Sequence, residues 1–299
     1  MARPLRYLGQ EQKAQRNISK GDDEMTFSVN TNASALSALQ NLNKTAVRLG
    51  TTQTAINTGM KVSSSKDNGA VFAIAQSLRA DVAGINAATS SIDRGLSTIE
   101  VAIAAGEAVS DLLIEMKEKA VASKDQGLDT SSRVSLNNDF AQLRDQITSI
   151  VSNAEFNGTN SVKSGGQDIV AITNDDGSST LTIQSQDLSL GGGIVALTAT
   201  QSIGTQPLAS SAVINIESSI QNVNASLSAL GAGARRLDFQ KTFISQLRDT
   251  IEVGIGNLVD ADMARASADL QALQVKQQLG LQALSIANQA PQSVLSLFQ

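Results

Sequence analysis

The sequence contains no cysteine and no histidine among its 299 residues. Without cysteine there is no disulfide framework and no thiolate nucleophile. Without histidine, a Ser–His–Asp triad, a His–Cys zinc site and an HExxH protease helix cannot be built. The side chain that most often transfers protons near neutral pH is also missing. These absences leave a metal-free or carboxylate-based enzyme open. Because the acidic pairs and serine-rich turns of the chain suit helix caps and turns better than catalysis, we expect no catalytic residue, no cofactor and no metal site, and we do not expect an enzyme.

Aromatic and charged residues are both scarce. Aromatic residues make up 3% of the chain and charged residues 17%, whereas about 25% of an average soluble domain is charged. The apolar share of 41% therefore comes mainly from Ala, Leu, Ile and Val. Because aromatic side chains usually fill thick cores, this composition favours long, thin helical packing instead.

The charge and the hydropathy pattern exclude two kinds of partner. The net charge is −5, which argues against nucleic acid, because binding to phosphates needs an excess of Lys and Arg. No apolar run reaches the length of about 20 residues that spans a bilayer, so we expect no membrane partner. Residues 1–24 also lack the apolar stretch of a signal peptide.

Five stretches predict helices, and the first four carry apolar residues at alternating spacings of three and four, the heptad pattern of coiled coils. The first begins after Asn30–Asn32, whose side chains are N-cap candidates, and ends near Gly59. The second continues to about Lys124, and its roughly 55 residues predict a rod of about 80 Å. The third ends at Phe156–Gly158, where Asn-Gly is a strong turn signal.

The last two stretches follow a segment that ends at Pro207. The fourth begins near Ser211 and is as regular as the second. The fifth begins at Asp260–Asp262, whose carboxylates suit a helix N-terminus, and we expect Pro291 to end it. The sequence predicts a mainly α fold of long antiparallel coiled-coil helices.

Residues 158–206, between the third and fourth stretches, have a different composition. They are rich in glycine and hold one Lys and no Arg. Two β-prone runs, 168–173 and 179–184, flank Asn174–Gly177, which ends in Asp-Gly. Short β-prone runs on either side of such a turn predict a small β-hairpin insert.

The second, third and fourth stretches predict a helical rod with its own apolar seam. Lys241 and Arg248 lie one heptad apart in this seam. Their charges could fix the register of the helices, or their stems could reach to the edge of the seam, which we favour slightly. The apolar seam residues are Leu78, Val82, Ile85, Ile92, Leu96, Ile99, Ile103, Leu113, Leu136, Phe140, Leu143, Ile147, Ile220, Val223, Leu227, Leu230, Leu237, Ile244 and Ile251.

The first and last stretches are apolar on more than one side, so we expect them to pack against more than one neighbour. Repeated head-to-tail association that does not close produces a filament. The residues that we expect to carry this assembly are Leu39, Leu42, Leu49, Ile56, Leu270, Leu273, Leu284, Ile286, Leu295 and Leu297.

Several motifs, in the same order along the chain, resemble bacterial flagellins over residues 25–299. The extension 1–24 and the ending Phe298-Gln299 depart from the family pattern. The motifs are Val29-Asn-Thr-Asn32, Gly59–Ala70, Asp139-Phe-Ala-Gln-Leu-Arg144, Glu155-Phe-Asn-Gly158, Asp260–Ala264 and Ala287-Asn-Gln-Ala-Pro-Gln-Ser-Val-Leu-Ser-Leu297.

The resemblance implies three structural parts. Residues 25–62 with 259–299 would form an inner-tube coiled coil made of both termini. Residues 63–157 with 207–258 would form an outer helical rod, and residues 158–206 its hairpin and loop insert. About 50 residues between the third and fourth helices are too few for the large outer domains of other members. The chain is therefore most similar to the short flagellins of alphaproteobacteria.

The function that the resemblance implies is self-assembly into the extracellular flagellar filament that drives swimming. The implied partners are further copies of the chain, sister flagellins, hook-associated and cap proteins, an export chaperone and the type III export apparatus. A hook–filament junction protein is the nearest alternative, and a coiled-coil adaptor protein is a more distant one. The complete ending Ala287–Leu297 favours flagellin over both.

We expect residues 1–24 to be absent from the mature protein and translation to begin at Met25. The alternative is that they form a genuine export or regulatory tail. The resemblance starts at Met25, and the composition changes there from mixed charge to capped heptads. In addition, Lys20–Glu24 can be encoded by a purine-rich ribosome-binding sequence that would lie just before the Met25 codon.

Overall fold

A computed structural model of the chain describes residues 31–295, with only the backbone for 290–295. Our expectations for residues 1–24, for Leu297 and for the side chain of Leu295 therefore lie outside the described residues. The elements are α1 (Ala33–Thr58), α2 (Gly69–Ser123), α3 (Thr130–Asn153), β1 (Ile169–Ile172), β2 (Thr180–Ile183), α4 (Gln206–Val259) and α5 (Met263–Leu295). The expected mainly α fold with a small hairpin is confirmed.

The chain divides into two compact units. We call the described part of the first, residues 31–63 and 260–295, the terminal unit. The second, residues 64–259, is the rod unit. The terminal unit contains α1 and α5, and the rod unit contains the other three helices and the hairpin.

In the terminal unit, α1 and α5 run antiparallel, and local signals fix their ends. The Asn32 Oδ1 accepts the Ala35 N–H at 3.0 Å and caps α1. At the other end of α1, Gly59 has φ 72°, a left-handed conformation that glycine adopts without strain. The Asp262 Oδ1 accepts the Ala264 N–H at 3.0 Å and caps α5. The Gly59 carbonyl accepts the Ala261 N–H at 2.8 Å, which holds these two ends together.

In the rod unit, α2 packs against α3 on one side and against the antiparallel helix α4 on another. The two-stranded sheet is antiparallel, with Ile169 opposite Ile183 and Ile172 opposite Thr180. Its strand β1 lies on α2, while β2 contacts α4. The hairpin therefore covers the apolar seam between the two long helices.

Two prolines that we expected to lie outside helices lie within them. Pro207 lies in the first turn of α4, which begins at Gln206 rather than near Ser211. A helix tolerates proline there because the first N–H groups make no intrahelical bond. Helix α5 also continues past Pro291 to Leu295. Proline removes the N–H that would bond the Ala287 carbonyl, and this carbonyl accepts a hydrogen bond from Asn32 Nδ2 at 2.6 Å instead.

The hairpin turn approaches α2 so closely that only glycine fits at position 84. A Cβ at Gly84 would lie 2.2 Å from the Asp175 carbonyl oxygen, whereas a Cβ at Gly231 in α4 meets nothing within 4 Å. We expect Gly84→Ala to destabilise the rod unit by about 1–2 kcal/mol, because the turn must move away. Gly231→Ala, the matched control, should stabilise it by about 0.5–1 kcal/mol through helix propensity. Thermal unfolding of both variants checks this, and equal stabilisation by the two substitutions would contradict it.

Candidate assembly surfaces

No described side chain of α1 or α5 is fully buried in the seam between the two helices. On α1, Leu42, Leu49 and Ile56 are half-buried and recur every seven residues. The half-buried apolar residues of α5 that we expected to carry assembly are Leu270, Leu273 and Leu284. Fully burying a large aliphatic side chain contributes only about 1.5–3 kcal/mol. An interface in which no residue is fully buried therefore contributes little free energy to folding.

Leu39 and Ile286, which we grouped with these residues, face away from the seam. Their side chains are 43% and 67% exposed. The seam of α1 uses the half-buried Ala38 and Thr45 instead, because small side chains let the two helices approach closely. Other large apolar residues of the terminal unit are equally uncovered, namely Leu36, Val47, Met263, Val275, Leu279 and Leu281.

The expected seam of the rod unit is placed in or around its core. Ten of these residues are buried in one apolar cluster: Ile85, Ile92, Ile99, Leu113, Phe140, Ile147, Val223, Leu230, Leu237 and Ile244. The others are half-buried: Leu78, Val82, Leu96, Ile103, Leu136, Leu143, Ile220, Leu227 and Ile251. The hairpin and the loop after it add apolar residues to the same cluster, including Ile169, Ile183 and Leu197.

Buried polar side chains hold the 158–206 segment on the helices, and the sequence analysis missed them. The Ser91 Oγ on α2 accepts the Ile172 N–H of β1 at 3.1 Å. On α4, the Ser219 Oγ accepts the Ala196 N–H at 3.0 Å. Since a buried backbone N–H needs a partner, these serines stabilise a segment with little regular structure. Their position among small apolar residues at helical spacing is the signal that identifies them.

Two asparagines have the same role at the ends of the segment. Asn160 is 1% exposed. Its Nδ2 donates to the Val151 carbonyl at 2.8 Å, and its Oδ1 accepts the Val162 N–H at 2.9 Å. The Asn137 Oδ1 on α3 accepts the Ile203 N–H at 2.8 Å. Asparagine suits these places because one carboxamide both donates and accepts.

Two ion pairs cross between α2 and α4. The Lys241 Nζ lies 2.7 Å from Asp93 Oδ1, and the Lys117 Nζ lies 2.9 Å from Glu217 Oε1. The hydrogen bond to Asp93 raises the pKa of Lys241 above its ordinary value. The Lys241 side chain is half-exposed, so it reaches the edge of the seam and its charge pairs there in water.

An apolar ridge lies on the exposed side of α4. Phe239, Phe243 and Leu247 are 75%, 58% and 40% exposed and follow one another at spacings of four residues. Residues at this spacing lie on the same face of a helix. Exposed aromatic side chains in a contiguous patch are typical of surfaces that bind another protein.

No metal cluster of three or more His, Cys, Asp or Glu residues is found within residues 31–295. Among the helices of the same residues, none is long and apolar enough to cross a membrane.

Paired antiparallel helices with uncovered apolar faces define a helical protein suited to self-association. The chain matches the bacterial flagellin N-terminal helical region over residues 29–163 and the bacterial flagellin C-terminal helical region over residues 213–298. The chain belongs to the bacterial flagellin family. As the sequence analysis predicted, it is a structural subunit of the flagellar filament.

Individual proteins that are similar to this chain are flagellins as well. The chain is 48% identical over 272 residues to flagellin FljM of Caulobacter vibrioides, which covers 91% of this chain and 98% of the relative. It is 34% identical over 287 residues to a flagellin of Brucella melitensis, with 91% and 99% coverage. These relatives support a short flagellin of the alphaproteobacterial type, and they do not favour a junction protein or an adaptor.

A solved structure shares the fold. The putative flagellar hook-associated protein of Vibrio parahaemolyticus aligns with a TM-score of 0.53 over 65% of this chain and 100% of that chain. The sequence identity is 15%, so this likeness concerns the fold alone.

Proposed function

We propose that the chain works purely by assembly and carries no catalytic activity. In this proposal, residues 25–62 and 259–299 of many copies form the inner tube of the filament. Residues 63–157 with 207–258 form an outer rod, and residues 158–206 are its hairpin insert. The observation that carries the proposal is the helix pair α1 and α5, which has no buried residue among its described side chains and exposes large apolar ones outward.

The energetics favour folding of the terminal unit only in the filament. Ordering each residue costs roughly 1–2 kcal/mol of backbone entropy, while burial returns about 25 cal/mol per Å² of apolar surface. A single pair of helices leaves Leu39, Val275 and Ile286 largely in water. Neighbouring copies that cover these side chains would supply the missing burial. We therefore expect both helices to be largely unfolded in the free monomer.

An unfolded terminal unit suits secretion through a narrow channel. We propose that the chain leaves the cell through the type III export apparatus with an export chaperone and becomes part of the extracellular filament. There it contacts further copies, sister flagellins and the hook-associated and cap proteins at the filament ends. The absence of cysteine is compatible with this route.

The experiment that tests the proposed function is assembly of the purified chain. We expect filaments of regular diameter in electron micrographs after seeding with sheared filament fragments, and the chain in the medium of cultured cells. Soluble protein that never elongates seeds would contradict the proposal. Retention of the chain inside cells with an intact export apparatus would contradict the export part alone.

The Phe239–Leu247 ridge gives the rod unit a contact surface for a neighbouring copy in the same filament. Replacing both Phe239 and Phe243 by serine should leave the unfolding temperature of the rod unit unchanged, because both side chains are already exposed. The double variant should raise the critical concentration for assembly at least about tenfold, because each lost aromatic contact contributes about 1 kcal/mol or more.

Ile214→Ser is the matched control for this double variant. Ile214 lies on α4 and is 65% exposed, but it lies outside the ridge. We expect it to change the critical concentration less than about twofold. The ridge would not be a contact surface if the double variant and this control assembled equally well, as measured by sedimentation.

A further inference from the structure

One side chain links the two ends of the terminal unit. The Asn32 Nδ2 donates to the Ala287 carbonyl at 2.6 Å. The Oδ1 of the same carboxamide accepts the Ala35 N–H at 3.0 Å. Asn32 therefore caps α1 with its oxygen and contacts α5 with its nitrogen. Asn32 and Ala287, which belong to sequence motifs at opposite ends of the chain, meet at this point.

The acceptor on α5 is an unusual carbonyl. In an α-helix the carbonyl of residue 287 bonds the N–H of residue 291. Residue 291 is proline, which has no N–H, so this carbonyl loses its intrahelical donor. An unsatisfied carbonyl that is half-buried is destabilising. The Asn32 Nδ2 supplies the donor that the proline removes.

We propose that Asn32 is a positioning residue: its carboxamide replaces the missing N–H of Pro291 and so fixes the register between α1 and α5 in the filament. A heptad seam is nearly indifferent to a slip of seven residues, because apolar residues recur at that interval. The seam residues Leu42, Leu49 and Ile56 recur in this way. They set the face that α1 presents, and a further contact is needed to set the register.

The Asn32 contact distinguishes the register because α5 contains a single proline, Pro291. In a slipped register, Asn32 would face carbonyls that already accept an N–H from their own helix. The same slip would leave the half-buried Ala287 carbonyl without a donor from the protein. The native register is therefore the one in which the Asn32 Nδ2 and the Ala287 carbonyl both have a hydrogen-bond partner. A close approach supports it, because a Cβ at Gly280 would lie 3.2 Å from Leu42 Cδ1.

The test is a double-mutant cycle on full-length protein, read as the critical concentration for assembly. Asn32→Ser keeps an N-cap, since serine caps nearly as well as asparagine, but its short side chain has no amide to donate to Ala287. We expect Asn32→Ser to raise the critical concentration about five- to tenfold. In the Pro291→Ala background, where residue 291 again supplies the N–H, the same substitution should raise it less than about twofold.

Two further variants sharpen the cycle. Asn32→Asp keeps the cap acceptor but sets a carboxylate against the Ala287 carbonyl, so it should impair assembly more than Asn32→Ser. Asn43→Ser, at an exposed position of α1, is the matched control for the loss of an asparagine. We expect it to leave the critical concentration for assembly unchanged. If Asn32→Ser alone fails to assemble, assembly of Asn32→Ser/Pro291→Ala supports the proposal, and failure of both overturns it.

Equal losses from Asn32→Ser in the two backgrounds would also overturn it, because the effect would then come from capping alone. The inference rests on the proposed function, since the register matters once the terminal unit folds in the filament. The two can fail separately. A wild-type chain that does not elongate seeds contradicts the proposed function. If the wild-type chain assembles but the effects of Asn32→Ser and Pro291→Ala on the critical concentration are additive, only the role of Asn32 is contradicted.

Discussion

Removal of residues 280–299 should abolish filament formation and leave the rod unit folded. The deletion removes Gly280, Leu284 and Ala287 from the seam with α1. It also removes the exposed Leu281 and Ile286 that we propose neighbouring copies to cover. The truncated α5 is too short to offer a continuous surface to several neighbours. Sedimentation and electron microscopy after seeding measure the loss, which we expect to be complete.

A chain that begins at Met25 is the matched control for this truncation. It lacks a segment of similar length at the other end, and we expect it to assemble as the full chain does. The thermal unfolding midpoint of the rod unit should be the same in both deletions, because residues 64–259 are untouched. Normal filaments from the chain that lacks residues 280–299 would refute the inner-tube proposal.

Aspartate in the rod core and aspartate in the seam between α1 and α5 should have different consequences. Leu230 is 1% exposed in the rod core, so Leu230→Asp leaves an unpaired carboxylate among apolar side chains. We expect a loss of at least about 4 kcal/mol. For a unit of this size, that corresponds to a fall in the melting temperature of the monomer of about 10 °C.

Leu284→Asp should spare the monomer and prevent assembly. Leu284 is only half-buried against α1, and we expect this seam to form only in the filament. The melting temperature of the monomer should change by less than about 1 °C, while seeds should not elongate. Calorimetry of both monomers, with seeded assembly of each, checks the contrast. Equal melting losses in the two variants would mean that the terminal unit is already folded in the monomer.

The elements of this fold that follow local rules could be predicted from the sequence. The N-cap at Asn32, the left-handed Gly59 and the hairpin around the Asp-Gly turn depend on neighbouring residues. The seam of α2 with α4 was also predictable, because large aliphatic residues repeat there without a slip. At these positions the local propensity and the spacing of apolar residues favour the same structure, so no alternative structure competes.

The remaining features depend on residues far apart in the chain. The predicted end of α5 at Pro291 was wrong because Asn32, 255 residues away in the chain, lies beside the Ala287 carbonyl. The place of Ala38 and Thr45 in the seam was not predicted, because these small side chains carry little hydrophobic signal. The role of Ser91 was not predicted, because the β-strand N–H that it binds belongs to a distant segment.

Hydrogen exchange in monomer and filament tests the central claim most directly. The claim is that the apolar faces of α1 and α5 become buried only between copies of the chain. We predict that amides in α1 and α5 exchange rapidly in the monomer and are strongly protected in the filament. Amides in the core of α2 and α4, around Ile99 and Leu230, should be protected in both states, because these side chains are already buried in one chain. Equal protection of α1 and α5 in monomer and filament would contradict the account.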